Sequence, residues 1–215
     1  MLIKSLTVGS MGVCCYLLVC RETGQAVIID PGGDEQRILA EVAQAQAKVL
    51  YIVNTHGHPD HVAANAPLKK ATGAEIVMHE ADADFFGHPE VEQYFSALGL
   101  PASPPPDRLV KDGERIEFGR ESLLVIHTPG HTPGGICLYS APELFTGDTL
   151  FVGGVGRTDF PGGDGPQLYR ALQEKILTLP GDTRVWPGHG YGGHSSTIGE
   201  EKAANPFLTS DFWAR

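Results

Sequence analysis

Six consecutive residues, His56-Gly57-His58-Pro59-Asp60-His61, put four potential metal-binding side chains directly after an apolar, strand-like run from Val49 to Val53. A buried strand gives such a loop a rigid anchor, which is where chemistry-bearing loops are found. Pro59 has no backbone N–H and its ring clashes with a preceding turn, so a regular helix across the segment is not expected and the side chains should fan out from an irregular turn. Imidazole and carboxylate are ligands for borderline divalent metals, and catalytic sites of this kind keep a position open for water. A lone histidine is ordinarily a surface or core residue; four ligand-type side chains within six residues are poorly explained that way.

Three further candidates stand at the ends of later strand-like segments. His131 lies in Thr128-Pro129-Gly130-His131-Thr132-Pro133-Gly134, Asp148 in Phe145-Thr146-Gly147-Asp148-Thr149, and His189 in Trp186-Pro187-Gly188-His189-Gly190. Each neighbours a glycine, where backbone can turn sharply or approach closely. Of the nine histidines, His79, His88, His127 and His194 lack such context and are read as structural.

Periodicity places strands at Leu2–Val8, Tyr16–Cys20, Ala26–Ile29, Val49–Val53, Glu75–Met78, Arg115–Phe118, Ser122–His127, Ile136–Tyr139, Leu144–Thr146 and Thr183–Trp186. Asp34 is expected to cap a helix whose apolar face is Ile38, Leu39, Val42 and Ala45. A second helix is expected over Ala64–Thr72, and another from near Asp164 with Leu168, Leu172, Ile176 and Leu179 on one face. Thr197 and Glu200 have capping-box spacing for a C-terminal helix. Residues 80–106, with Pro101, Pro104, Pro105 and Pro106, read as short helices plus a loop near the site. The apolar tail Phe207-Leu208 and Phe212-Trp213 is read as covering the core. Clustered strands with helices between and after them suit two sheets packed together with helices outside.

The net charge of −10 disfavours nucleic acid and anionic membranes as partners, since both need a basic face. No apolar run approaches the ~20 residues of a membrane span, and no leader-like segment opens the sequence, so a cytoplasmic location is expected. Cys14, Cys15, Cys20 and Cys137 show no CxxC pair and read as buried free thiols. The stretch Gly153-Gly154-Val155-Gly156 lacks the spacing of a phosphate-binding loop. Oligomeric state is not legible.

Taken in order, His56-x-His58-x-Asp60-His61, His131, Asp148 and His189 resemble the motif of the metallo-β-lactamase superfamily, and the resemblance spans nearly the whole chain. It implies one α+β domain over 1–215, an αββα sandwich of two mixed sheets with helices on the outer faces. It further implies two divalent metal ions, zinc foremost, with iron or manganese as alternatives. His56, His58 and His131 would hold one and Asp60, His61 and His189 the other, with Asp148 bridging and Asp30 orienting ligands from behind. Two dications against two carboxylates favour hydroxide over water at neutral pH, and Asp60 would hold that hydroxide's proton as it attacks a carbonyl.

Within the superfamily, Gly153 to Phe160 is similar to the glyoxalase II and persulfide dioxygenase branches. There Arg157 would meet a glutathione carboxylate, as a guanidinium suits, and Tyr191 would touch the same ligand. The short glyoxalase II-like branch implies a thioesterase acting on S-lactoylglutathione or related glutathione thioesters. Two departures stand out: the C-terminal helical region of full-length glyoxalase II is missing, and Asp159 occupies the place of an aromatic contact. The alternatives are a persulfide dioxygenase with one iron on His56, His131 and Asp148, another small-molecule metallo-hydrolase, and a metal-stabilised scaffold without activity.

Overall fold

A computed structural model describes residues 1–209. One six-stranded sheet has the order β1 (Leu2–Val8), β2 (Val13–Val19), β3 (Gln25–Ile29), β4 (Lys48–Val53), β5 (Glu75–His79) and β6 (Arg108–Val110). Its first three strands are antiparallel neighbours and the rest run parallel. The second half of the chain supplies β7 (Arg115–Phe118), β8 (Glu121–His127), β9 (Ile136–Ser140) and β10 (Glu143–Gly147). A two-stranded ribbon follows, β11 (Leu150–Phe151) with β12 (Gly154–Val155), and then β13 (Arg184–Pro187) and β14 (Ser196–Thr197). The second sheet is ordered β14-β13-β10-β9-β8-β7, with β10 and β13 parallel, so both sheets are mixed.

The side-chain period of two turns these strands into layers. Cys14, Tyr16 and Leu18 of β2 face inward with Val27, Ile29, Val53 and Val77, against Phe118, Leu123, Val125, Leu138 and Phe145 of the other sheet. Cys15, Leu17 and Val19 face outward and pack under α1 (Glu35–Gln44) through Ile38 and Val42. The connections from β4 to β5 and from β5 to β6 carry α2 (Pro59–Val62), α3 (Asn65–Thr72), α4 (Glu80–Phe86) and α5 (Pro89–Ser96). The far face is covered by α6 (Gly165–Ala171), which continues as a π-helical turn through Leu172–Ile176, and by α7 (Ile198–Ala204). A final turn, α8 (Pro206–Thr209), ends the described chain. Helices thus flank two apposed sheets, as the sandwich expectation requires.

Several local expectations are met. Asp164 accepts from the Gln167 N–H at the start of α6, and Thr197 and Glu200 form a reciprocal capping box on α7. All four cysteines are buried free thiols. Leu208 packs against the outer core, whereas Phe212 and Trp213 lie outside the described residues. Among the described residues, no helix is long and apolar enough to cross a membrane.

Other expectations need correcting. Asp34 precedes α1 but does not cap it: its backbone is left-handed, at φ 51°, and its carboxylate accepts instead from the Gly9 N–H and from Arg37. β2 begins three residues earlier than expected, because Cys14 and Cys15 serve as small apolar residues alternating between two cores. Pro59 starts a one-turn helix rather than excluding one; at the first helical position its missing N–H has no intrahelical partner to lose. The short strands β6, β11, β12 and β14 lacked enough residues to show a period.

Tyr16 binds the two sheets at the end that matters below. Its ring packs edge-on to Phe145 and Trp186, and its hydroxyl donates to the Pro187 carbonyl at 2.6 Å. Tyr16→Phe would strand that buried carbonyl, and such groups cost about 1–3 kcal/mol. A loss of that size is expected in urea denaturation, and an unchanged midpoint would refute the link.

Candidate metal centre

The chain leaves β3, β4, β8, β10 and β13 at one end of the sandwich, and each exit carries a candidate residue. Asp30 follows β3, Thr55 and His56 follow β4, His131 follows β8, Asp148 follows β10 and His189 follows β13. Backbone bonds stitch the two sheets there: Cys14 N–H to the Gly188 carbonyl and Ile136 N–H to the Thr55 carbonyl, both 2.8 Å. Asp60 and His61 ride on α2, the turn that continues the loop.

All seven candidate ligands converge. His56, His58 and His131 offer ligand atoms within 4.8 Å of one another, and so do Asp60, His61 and His189. Asp148 lies between the triplets, its carboxylate oxygens 3.4 Å from His61 Nε2, 3.5 Å from His131 Nε2 and 3.7 Å from His189 Nε2. The five imidazoles are at most 5 % exposed. Gly188 permits the close approach of β10 and β13: a Cβ there would meet Asp148 Oδ1 at 2.2 Å.

Asp30 joins His56 and His61 in a third possible cluster. Its oxygens, however, are already engaged by the Thr55 N–H (2.7 Å), the Thr55 hydroxyl (2.6 Å) and His61 Nδ1 (3.1 Å). It therefore orients ligands rather than competing as one. Because Thr55 donates its proton to Asp30, it accepts from His56 Nδ1 at 3.1 Å. His131 Nδ1 donates to the Arg157 carbonyl at 2.7 Å. These partners hold Nδ1 of His56, His61 and His131 and turn their Nε2 inward.

The inward atoms fit a cation. Nε2 of His56, of His58 and of His131 and Oδ1 of Asp148 are buried without any hydrogen-bond partner, a costly state for lone pairs that a positive charge relieves. The donor set of imidazoles and carboxylates suits a divalent ion and leaves zinc, iron and manganese open. Burial holds the His56 and His58 imidazoles well below their usual range, so both are neutral and ready to ligate. Burial also opposes charge on His61, but Asp148, Asp60 and Asp30 outweigh it and raise that imidazole to about 10. Asp60 is pushed up by burial and pulled down further by His61 and His189, ending below the usual carboxylate range. His61 Nε2 and His189 Nε2 lie 3.2 Å apart, facing the same pair of carboxylates.

The expected substrate residues line an open cavity of about 600 Å³ beside His131 and Asp148. Tyr191, 73 % exposed, stacks on the His189 ring at 4.9 Å and packs edge-on to Phe151. Arg157 lines the same cavity but is not free. Asp159 takes its guanidinium in a paired contact, 2.6 and 2.8 Å, and the group lies 3.8 Å over the Phe160 ring. Asp159, which stands where the resemblance implies an aromatic contact, is thus the partner of Arg157. His79 and His127 stack on each other at 4.0 Å, away from the ligand clusters. Sequence reasoning missed Asp82, a fully buried acid of α4 whose carboxylate burial pushes up to about 6; an acid in a polar segment gives no sign of burial.

Two outcomes are expected of the metal-free protein. Folded His61 has a raised pKa, so its stabilisation is complete below pH 6.5 and lost as pH rises toward about 10. Folded His56 and His58 have lowered values, so stability also falls as pH drops below 6.5. Urea denaturation of stripped protein across pH should therefore peak near pH 6.5 and flatten on the alkaline side once metal replaces the His61 proton. Gly188→Ala should lower the metal content of purified protein by displacing Asp148, as elemental analysis would show; full occupancy would count against Asp148 as a ligand.

Comparison with known proteins agrees with this geometry. Residues 9–189 match the family model described as the metallo-beta-lactamase superfamily. The hydroxyacylglutathione hydrolase GloC of Haemophilus influenzae is 38% identical, over 90% of this chain and 92% of its own length. The mitochondrial persulfide dioxygenase ETHE1 of Homo sapiens is 37% identical, over 90% of this chain and 70% of its own. A solved structure of TTHA1623 in a di-iron-bound form superposes with a TM-score of 0.84 at 37% identity, covering 95% of this chain and 100% of that one. With this fold, these clusters and these relatives, the chain belongs to the metallo-beta-lactamase superfamily.

Proposed function

We propose that this protein is a glyoxalase II-like thioesterase, hydrolysing S-lactoylglutathione or related glutathione thioesters. The observation that carries the reading is the pair of buried ligand triplets with Asp148 between them, opening on the cavity that Arg157 and Tyr191 line. In this reading His56, His58 and His131 would hold one ion and Asp60, His61 and His189 a second, with Asp148 beside both sets. Divalent ions so placed supply a water nucleophile of lowered pKa and a Lewis acid for the thioester carbonyl.

The chain's own residues do the rest. Asp60, with Oδ2 3.4 Å from His189 Nε2, is placed to hold and aim the nucleophile's proton. Tyr191 offers an exposed ring face and hydroxyl to the thiol half of the substrate. Arg157 receives a substrate carboxylate by exchanging it for that of Asp159. Both partners are exposed, at 54 % and 69 %, so water screens their attraction and the exchange is cheap.

A second reading, iron-dependent persulfide oxidation, draws support from the 37% identity to the ETHE1 dioxygenase, nearly that of GloC. Its iron would rest on His56, His131 and Asp148, a two-histidine, one-carboxylate face.

Saturable loss of the thioester from S-lactoylglutathione by zinc- or iron-loaded protein, abolished by chelation, is the expected result. No hydrolysis, together with oxygen uptake on glutathione persulfide by iron-loaded protein, would replace the thioesterase reading with the second. Arg157→Ala should raise KM for the thioester more than it lowers kcat. Asp159→Asn, which frees the guanidinium, should lower KM; unchanged kinetics in both would remove this pair from the substrate site.

A further inference from the structure

Asp82 is an acid with no exposure at all, in the first turn of α4, and every bond its carboxylate receives comes from the two loops of one histidine triplet. Oδ2 accepts from the Gly57 N–H at 2.8 Å and from the Thr132 hydroxyl at 2.8 Å, while Oδ1 accepts from the Gly134 N–H. Gly57 lies between His56 and His58; Thr132 follows His131, and Gly134 closes the same loop. One carboxylate thus clamps a loop of the first sheet to a loop of the second. Its three partners are all donors, so only an acceptor-only group satisfies them together.

Asp30 serves the other side. It holds His61 directly and reaches His56 alone of the first triplet, through Thr55. No hydrogen bond runs from Asp82 to the residues that carry Asp60, His61 or His189. The two buried aspartates therefore divide the centre between them.

We propose that Asp82 is the positioning residue for His56, His58 and His131, setting how tightly that triplet holds its ion while leaving the Asp60, His61 and His189 set largely untouched. The inference rests on the two-ion reading above, though not on the substrate assigned there. Buried partners one step behind metal ligands change affinity by about 10–100-fold when lost. Asp82→Asn keeps the volume but turns an NH2 group toward N–H or O–H donors. The Ile136-to-Thr55 backbone bond still joins the two sheets beside the loops, so the variant is expected to fold.

The test is a zinc titration of demetallated full-length protein against a chromophoric chelator, with the histidine side-chain 15N resonances followed in parallel. For Asp82→Asn, one of two binding steps should weaken about 10–100-fold and the other by less than about threefold. The histidines that release zinc first should be His56, His58 and His131. Equal weakening of both steps, no weakening, or earlier release by His61 and His189 would overturn the proposal. Should Asp82→Asn fail to fold, Thr132→Val removes a single donor and must show the same selectivity at smaller size; equal effects there overturn it as well. A wild-type protein binding only one zinc would remove the two-ion premise and the proposal with it. Zinc binding without thioester turnover would leave Asp82's role standing and sink only the assigned substrate.

Discussion

Nitrogen lone pairs buried with nothing to bond are the constraint around which the rest is arranged. Nε2 of His56, of His58 and of His131 and one oxygen of Asp148 have no hydrogen-bond partner among the described residues, and several kcal/mol of desolvation attend such groups. A surface loop would relax to expose them. Here the loops are pinned behind by Asp30, Thr55 and Asp82, and beneath them lie cores in which most side chains are fully buried. The sandwich holds the ligands in an arrangement that suits a cation far better than it suits the metal-free chain.

The architecture explains why the pinning works. Strands from both sheets end together, so the ligands arrive on rigid supports from opposite sides. Tyr16, Cys14 and Ile136 tie the sheets at that end through backbone or hydroxyl bonds. Around the ligands, charge is divided by environment. His61 faces three carboxylates that outweigh its burial and carries a proton, while burial first, and neighbouring imidazoles second, keep His56 and His58 neutral. The centre thus combines fixed geometry with an exchangeable positive charge, which is what reversible metal loading requires.

Beside this buried interior, the cavity wall is open and adjustable. Tyr191 and Arg157 are exposed, and Arg157 is paired with a neighbour two positions away. In the proposed reading, metal chemistry and substrate choice would be carried by different classes of structure: a rigid strand-end platform for the first, a solvated rim for the second. Relatives of nearly equal identity are named a hydroxyacylglutathione hydrolase and a persulfide dioxygenase, consistent with function residing in the details of the site rather than in the fold.

Legible in the sequence alone were the seven candidate ligands, the sandwich and most of its strands. His56 to His61 form a dense local pattern, the later ligands sit at glycine-marked strand ends, and alternation over five to seven residues survives in any context. Also legible there were the caps at Asp164 and Thr197, which depend only on neighbours in the chain. Illegible before folding were the turn of Asp34 away from α1 to bond Gly9, the hold of Asp159 on Arg157, and the burial of Asp82 between two loops. The physical reason is range. Periodicity and capping are written within a few residues, whereas a carboxylate's choice of partner depends on which donors folding brings within about 3 Å; for Asp82 those donors lie 25 to 52 positions away.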